Sequence, residues 1–382
     1  MSQSADFFAE FSPVSKAQWL EQIAKDLKGK PLADLHWQLD EKIAIDPFRH
    51  ADDSPEPPLP LRSDPATWHI SECIDAPDAP KANRQALEAL AFGAQSLHFP
   101  LRTPQAAAEL GLLLDRIRPD FIDLQFSGAG VDHGPAAVLS ALAARAAAQG
   151  IEAGHLQGGL FYDLATASGN IQDWRYLADL LGYAQAELPG FRCITIDGRA
   201  GFAGTAATAD ELAALIRRGM AYFEKMQTRG VEPAALAGQI QFCLCVGPSY
   251  FVEIAKLRAL QLLWMNVLKS WGAPPSLPAL DVHFAPTAYT DDLYTNMIRA
   301  TTMAMSAVLG GAQRLTVLPY DAGREAAAQY PSNFSRRIAR NVQHLLQLES
   351  GFDALADPAA GSYYIENLTT QLAEAGWEKA TR

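Results

Sequence analysis

The run RCITIDGRAGFAGTAA, residues 192–207, leads from a short apolar segment into Gly198, Gly201 and Gly204. A glycine-rich turn in that setting can cradle a phosphate or carry a reactive side chain. The spacing is G-x-x-G-x-x-G, so the dinucleotide pattern G-x-G-x-x-G is not met and a nucleotide cradle is set aside. Arg199, between the first two glycines, is a pocket candidate. So are Gln157 and His283, polar side chains placed in otherwise apolar strand-like runs, as are His98, Gln125, Gln239 and Gln241. A sealed parallel core seldom keeps such residues, which points to a cavity they would line. Tyr250 is the fourth pocket candidate because, with Glu253, it follows the strand-like CLCVG, and strand ends are where barrel enzymes place function. No complete acid/base pair accompanies it, which favours a structural role. Arg336, Arg337 and Arg340, with Arg314 and Arg324 upstream, could meet phosphates or an acidic partner. The i, i+4 spacing of Arg336 and Arg340 marks one helix face, which ion pairs within the chain could equally occupy. Cys73, Cys193, Cys243 and Cys245 occur singly or as C-x-C inside apolar runs, the usual setting of buried free thiols. Neither disulfides nor a metal site are expected from them.

These residues must be positioned by a large α/β framework. Eight β-rich runs follow residue 66: TWHISECI, AQSLHFPL, DFIDLQFSG, EAGHLQGGLFYD, FRCITIDG, GQIQFCLCVG, ALDVHFAP and AQRLTVLPY. Helical stretches such as PAAVLSALAARAAAQG and ADELAALIRRGMAYFEKMQTRG separate them, the latter closed by a glycine as a C-cap would be. Strands alternating with helices imply a parallel sheet, and eight units predict a closed TIM (β/α)₈ barrel; an open doubly wound sheet is the alternative. Residues 66–382 form the expected barrel. Residues 1–65 form an arm, with a helix bearing Trp19, Leu20, Ile23 and Leu27, a short strand pair, and a proline-rich link. Such an arm has no core of its own and must pack on its own barrel or on a partner's.

Composition narrows the classes further. The 382 residues are 49% hydrophobic and carry a net charge of −12, with no clustered basic run. Nucleic-acid binding lacks its electrostatic footprint and is excluded. The N-terminus has no charged start leading into an apolar core, and no apolar run approaches the roughly 18 residues of a membrane span. A cytoplasmic location is the expectation.

Three segments carry a family likeness. FSPVSKAQWLEQIAKDLKGK, SYFVEIAKLRALQLLW and SNFSRRIARNVQHLLQLESGFDALADPAAGSYYIENLT resemble the methylmalonyl-coenzyme A mutase family, especially its small, β-type subunit. The resemblance implies a TIM barrel that, in catalytic members, threads an acyl-coenzyme A down its axis toward adenosylcobalamin at the C-terminal mouth. It also implies a separate flavodoxin-like cobalamin domain and a pairing of catalytic and non-catalytic chains. On this likeness Arg336 and Arg340 become candidates for coenzyme A phosphates or for the partner.

Against that pattern the reactive positions are vacated. Where catalytic members have Gly-Tyr-His, this chain reads Gly198-Arg199-Ala200, and a methyl group cannot polarise a carbonyl. The glutamine of H-C-Q-T-S-G corresponds to Ala285. Cys73 is the nearest equivalent of the first-strand tyrosine, and the early F-D-L-A-T-H motif is replaced by LHFPLRTPQ. Asp281-Val282-His283 resembles the start of the D-x-H-x-x-G signature of the cobalt ligand, but Pro286 stands at its glycine and too few residues follow for a cobalamin domain. The chain stops within an expected helix, consistent with a piece of a longer protein. The resulting expectation is a non-catalytic small subunit of a heterodimeric mutase. This chain would bind no cofactor, and adenosylcobalamin would reside in the catalytic large subunit. Vestigial acyl-coenzyme A binding in the axial channel stays open. The alternative is a catalytic barrel whose cobalamin domain is on another polypeptide.

Overall fold

The structure is a computed structural model and describes residues 12–53, 61–62, 64–65, 67–103, 109–165, 171–324 and 332–382. The arm begins with α1 (Lys16–Asp26), started by a capping box in which Ser15 and Gln18 satisfy each other's backbone N–H groups. A two-residue hairpin follows, β1 (Trp37–Gln38) against β2 (Ala44–Ile45). Leu39, Ile43 and Ile45 join the main hydrophobic core, so the hairpin packs on its own barrel. The helix does not go in as deeply. None of its residues is fully buried, and Trp19 rests edge-on against Phe48 with ring centroids 5.3 Å apart. Most of the proline-rich link lies outside the described residues.

The remaining strands are β3 (His69–Cys73), β4 (Ser96–Pro100), β5 (Asp123–Ser127), β6 (Gln157–Leu160), β7 (Phe191–Arg192), β8 (Ile194–Asp197), β9 (Ile240–Val246), β10 (Ala279–Phe284) and β11 (Arg314–Thr316). They form one parallel sheet in the order β7-β6-β5-β4-β3-β11-β10-β9-β8. The two end strands are halves of the single run FRCITIDG, parted at Cys193: β7 pairs with β6, and β8 with β9. Thr195 Oγ1 donates to the Leu160 carbonyl at 2.7 Å, tying β8 back to β6. The eight expected runs therefore occupy eight positions of a closed TIM-type barrel. The open-sheet alternative is set aside.

The helices are α2 (Ala79–Ala91), α3 (Leu110–Leu113), α4 (Ala129–His133), α5 (Pro135–Ala148), α6 (Ile171–Glu187), α7 (Thr208–Gln227), α8 (Pro233–Gln239), α9 (Tyr250–Ser270), α10 (Leu293–Gly310), α11 (Ser332–His344) and α12 (Tyr363–Thr381). Helix α12 lies against both α7 and α9. That second layer explains why α9 is buried on nearly all sides. Gly376 permits the approach: a Cβ there would sit 3.1 Å from Leu212 Cβ.

Alternation along the strands decides what the barrel encloses. Side chains two apart share a face, and residues paired in a parallel ladder point the same way. Ile70, Leu97, Phe99, Leu124, Phe126, Ile196, Phe242, Leu244, Leu280, Val282 and Leu315 form the apolar layer under the helices, and all are buried. The opposite face, toward the axis, carries Ser96, His98, Asp123, Gln125, Thr195, Gln241, Cys243, Asp281, His283 and Arg314. An ordinary barrel of this type fills its axis with branched apolar side chains. This one fills it with hydrogen-bonding groups.

Candidate functional site at the barrel axis and mouth

Arg314, at the start of β11, organises the axis. Its Nη1 lies 3.1 Å from Asp123 Oδ2 and its Nε 3.6 Å from Asp281 Oδ2, while Nη2 donates to Gln241 Oε1. Gln241 Nε2 donates in turn to Gln125 Oε1 at 2.9 Å and to Thr195 Oγ1 at 2.7 Å. Burial works against the Arg314 charge, but Asp123 and Asp281 outweigh it and hold the guanidinium protonated. Gly159 is required beside this plug, because a Cβ there would stand 2.4 Å from Gln241 Nε2. Ser96, Gln125, Thr195, Gln241 and Asp281 are each 0% exposed, which a side chain lining an open, wetted channel would not be. The cavity expected from the strand polar residues is therefore corrected: at this level they fill the axis.

Above the plug, at the C-terminal mouth, Phe161 connects two groups. His98 stacks on it with centroids 4.5 Å apart, and the Arg199 guanidinium lies 4.8 Å from its ring centre. Arg199 also grips Asp197 as a fork, Nε to Oδ1 at 3.0 Å and Nη2 to Oδ2 at 2.7 Å. Burial, then the His283 charge, pushes His98 down to about 3, so its ring is neutral at pH 7; Nε2 lies 2.8 Å from Ser127 Oγ. Burial pushes the Cys73 and Cys245 thiols up to about 12. Such thiols stay protonated and inert, and a histidine titrating near 3 is a poor general base at neutral pH. None of these mouth groups is poised for covalent or acid/base chemistry.

The four pocket candidates do not converge. Arg199 and His283 belong to the mouth and upper axis. Gln157 is corrected: it is exposed at the first position of β6, the N-terminal end of the barrel. Tyr250 is corrected as well, since it opens α9 outside the barrel and packs beside Phe251 and the cluster of Ile254, Ala359 and Ile365. Arg336 and Arg340 are engaged within the chain. Both pair with Glu72, a buried residue on the outward face of β3, and Arg336 also reaches Glu88 at 3.3 Å. The three positions expected to be vacated all lie at or just after the C-terminal ends of strands. Ala200 is exposed in a 3₁₀ turn, Ala285 is 1% exposed in the core after β10, and Cys73 ends β3. Two groupings emerge only in the fold. One is Lys256, enclosed between Glu253 at 2.7 Å and Glu211 at 3.3 Å. The other is Cys243, Asp281 and His283, gathered on the axis. The signal for the second was present as C-x-C and D-x-H at strand period.

A closed parallel barrel with a hydrogen-bonded axis defines a TIM-type α/β barrel protein. The family model described as Methylmalonyl-CoA mutase matches residues 108–382, and the chain belongs to that family. It is 32% identical over 395 residues to the methylmalonyl-CoA mutase small subunit of Porphyromonas gingivalis, covering 97% of this chain and 63% of that protein. A methylmalonyl-CoA mutase of Cereibacter sphaeroides is 31% identical, with 94% of this chain and 57% of the relative covered. The Porphyromonas gingivalis large subunit is 38% identical over 209 residues, 53% of this chain and 28% of that protein. The chain thus spans about three-fifths of the first two relatives' length. No described helix is long and apolar enough to cross a membrane.

Proposed function

We propose that this chain is the non-catalytic small subunit of a heterodimeric, adenosylcobalamin-dependent methylmalonyl-CoA mutase, whose large subunit interconverts methylmalonyl-CoA and succinyl-CoA. The observation that carries the reading is the plugged axis. In the catalytic pattern the acyl-coenzyme A runs along that axis, whereas here Gln125, Thr195, Gln241 and Arg314 hydrogen-bond across it and are at most 3% exposed. Ala200 and Ala285 at the rim supply no donor to a thioester. The described residues do not fit a cobalamin lower ligand either. His283, whose D-x-H triplet resembles the start of that ligand's signature, has its ring on the inward face of the barrel with Nε2 3.2 Å from Asp281 Oδ1, and Pro286 stands where the signature has glycine. The names of the relatives support the partner, since a small and a large subunit occur in one organism. The arm, whose helix α1 buries no residue in this chain, is the element we assign to the partner contact.

The test is co-purification and assay. Alone, the chain is expected to show no turnover with adenosylcobalamin and acyl-coenzyme A substrates and no acyl-coenzyme A binding by calorimetry. With the large subunit it is expected to form a stable complex, weakened when residues 1–60 are deleted. Turnover by the isolated chain would overturn the reading and promote a catalytic barrel served by a cobalamin domain on another polypeptide.

A further inference from the structure

The inward face of β9 and β10 carries metal-ligand side chains that the proposed function does not use. The register places Cys243 opposite Asp281 and Cys245 opposite His283. Because residues two apart on a strand share a face, C-x-C and D-x-H become adjacent columns on one buried surface. The Cys243 Sγ, an Asp281 carboxylate oxygen and a His283 ring nitrogen all lie within 4.8 Å of one another. Cys243 and Asp281 are 0% exposed and His283 is 8% exposed. The 3.2 Å approach of His283 Nε2 to Asp281 Oδ1 is not aligned as a hydrogen bond. Both Asp281 oxygens and His283 Nε2 lack a hydrogen-bond partner. Orphaned polar atoms at such depth require an explanation, and a bound ion is one.

Charge along the axis points the same way. Asp123, Asp197 and Asp281 face inward, and Arg192 and Arg314 both lie near Asp123. Arg199 holds Asp197 as a fork, and Arg314 approaches Asp123 more closely (3.1 Å) than Asp281 (3.6 Å). Asp281 is the carboxylate among them that receives no hydrogen bond from a guanidinium. We propose that Cys243, Asp281 and His283 bind a borderline-soft divalent cation, with Zn²⁺ the ion whose preferences match a thiolate, an imidazole and a carboxylate. Zinc bonds of about 2.0 to 2.3 Å place tetrahedral ligand atoms roughly 3.3 to 3.8 Å apart, so side-chain rotations of about 1 Å complete the site. The Cys243 proton passes to solvent as the thiolate takes the metal. Arg314 then orients Asp281 from behind, and Cys245 borders the ion opposite His283.

The experiment strips the full chain with a chelator and titrates it with Co²⁺ and then Zn²⁺. The expected result is one equivalent of Co²⁺ with a thiolate charge-transfer band and the visible absorption of a tetrahedral ion, displaced by Zn²⁺. X-ray absorption of the zinc form is expected to show sulfur at about 2.3 Å. Cys243→Ser should abolish the charge-transfer band, and His283→Ala should weaken binding at least tenfold. Cys193→Ser, in the apolar layer, should leave both unchanged. Failure of the unmodified chain to take up one equivalent, a bound metal without sulfur, or full affinity in a folded Cys243→Ser variant would overturn the site. The sulfur ligation is read on the unmodified chain, so the answer does not depend on any variant folding.

Discussion

Replacing Arg314 by methionine removes the cation of the axis while keeping much of its aliphatic bulk. At separations of 3.1 and 3.6 Å, Coulomb's relation with an effective dielectric of about 20 gives roughly 5 kcal/mol of attraction to each carboxylate. The net loss is smaller, because Asp123 and Asp281 gave up hydration to enter the barrel, and breaking a buried pair typically costs about 3 to 5 kcal/mol. Protonation sets a ceiling. A stranded carboxylate can take up a proton instead, which at pH 7, from an ordinary value near 3.9, costs about 4 kcal/mol. The folded variant would then hold a carboxyl titrating above its unfolded value. Such a group stabilises the fold below the unfolded value, and that contribution is lost as pH rises through the folded one. Arg314→Met is therefore expected to lose about 4 kcal/mol at pH 7 and about 1.4 kcal/mol less for each pH unit below it. Urea unfolding followed by circular dichroism at about pH 7 and pH 5 reads both quantities. A loss under about 1 kcal/mol at pH 7, or one that does not shrink in acid, would refute the account of Arg314 as the counter-ion of the axis.

Three further outcomes are expected. Ala200→His, at an exposed turn position, should change stability by no more than about 0.5 kcal/mol and give no turnover to the isolated chain. Thermal melts and substrate assays check both. Gly159→Ala should cost about 1 to 3 kcal/mol in denaturant titration, because its new methyl would press on Gln241 and Gln125. Burial raises Asp281, but His283 and Arg314 pull it below the ordinary carboxylate range. Its contribution to stability is thus present above about 3.9 and lost as pH falls through the lowered value. An Asp281→Asn variant should show a shallower loss of stability below about pH 4, and an unchanged acid profile would count against the assignment.

The architecture was legible because it is written locally. Eight β-rich runs alternate with helical stretches, and segments such as SLHFP, DLQFS and LDVHF alternate polar and apolar residues at the strand period. That alternation separates an apolar layer under the helices from a polar axis before any contact is known. On the family resemblance, the sequence alone also offered Ala200 and Ala285 as positions without a donor side chain, since residue type needs no geometry.

What the polar axis does was settled only in three dimensions. Arg314 meets Asp123 across 191 positions of chain, and Glu72 captures Arg340 across 268. The run FRCITIDG divides at Cys193 so that one half closes on β6 and the other on β9. Period-two alternation says that Gln125, Gln241 and Arg314 share a face, not that they touch, and the same strand pattern would serve a hollow channel. Cys243-x-Cys245 and Asp281-x-His283 likewise read as unrelated short motifs until the β9–β10 register sets them side by side. Register is fixed by how the helices pack and how the barrel closes, and a slip of one residue would turn each of these side chains to the other face. Local sequence therefore specified which way each residue points, and the closure of the barrel specified which residues it meets.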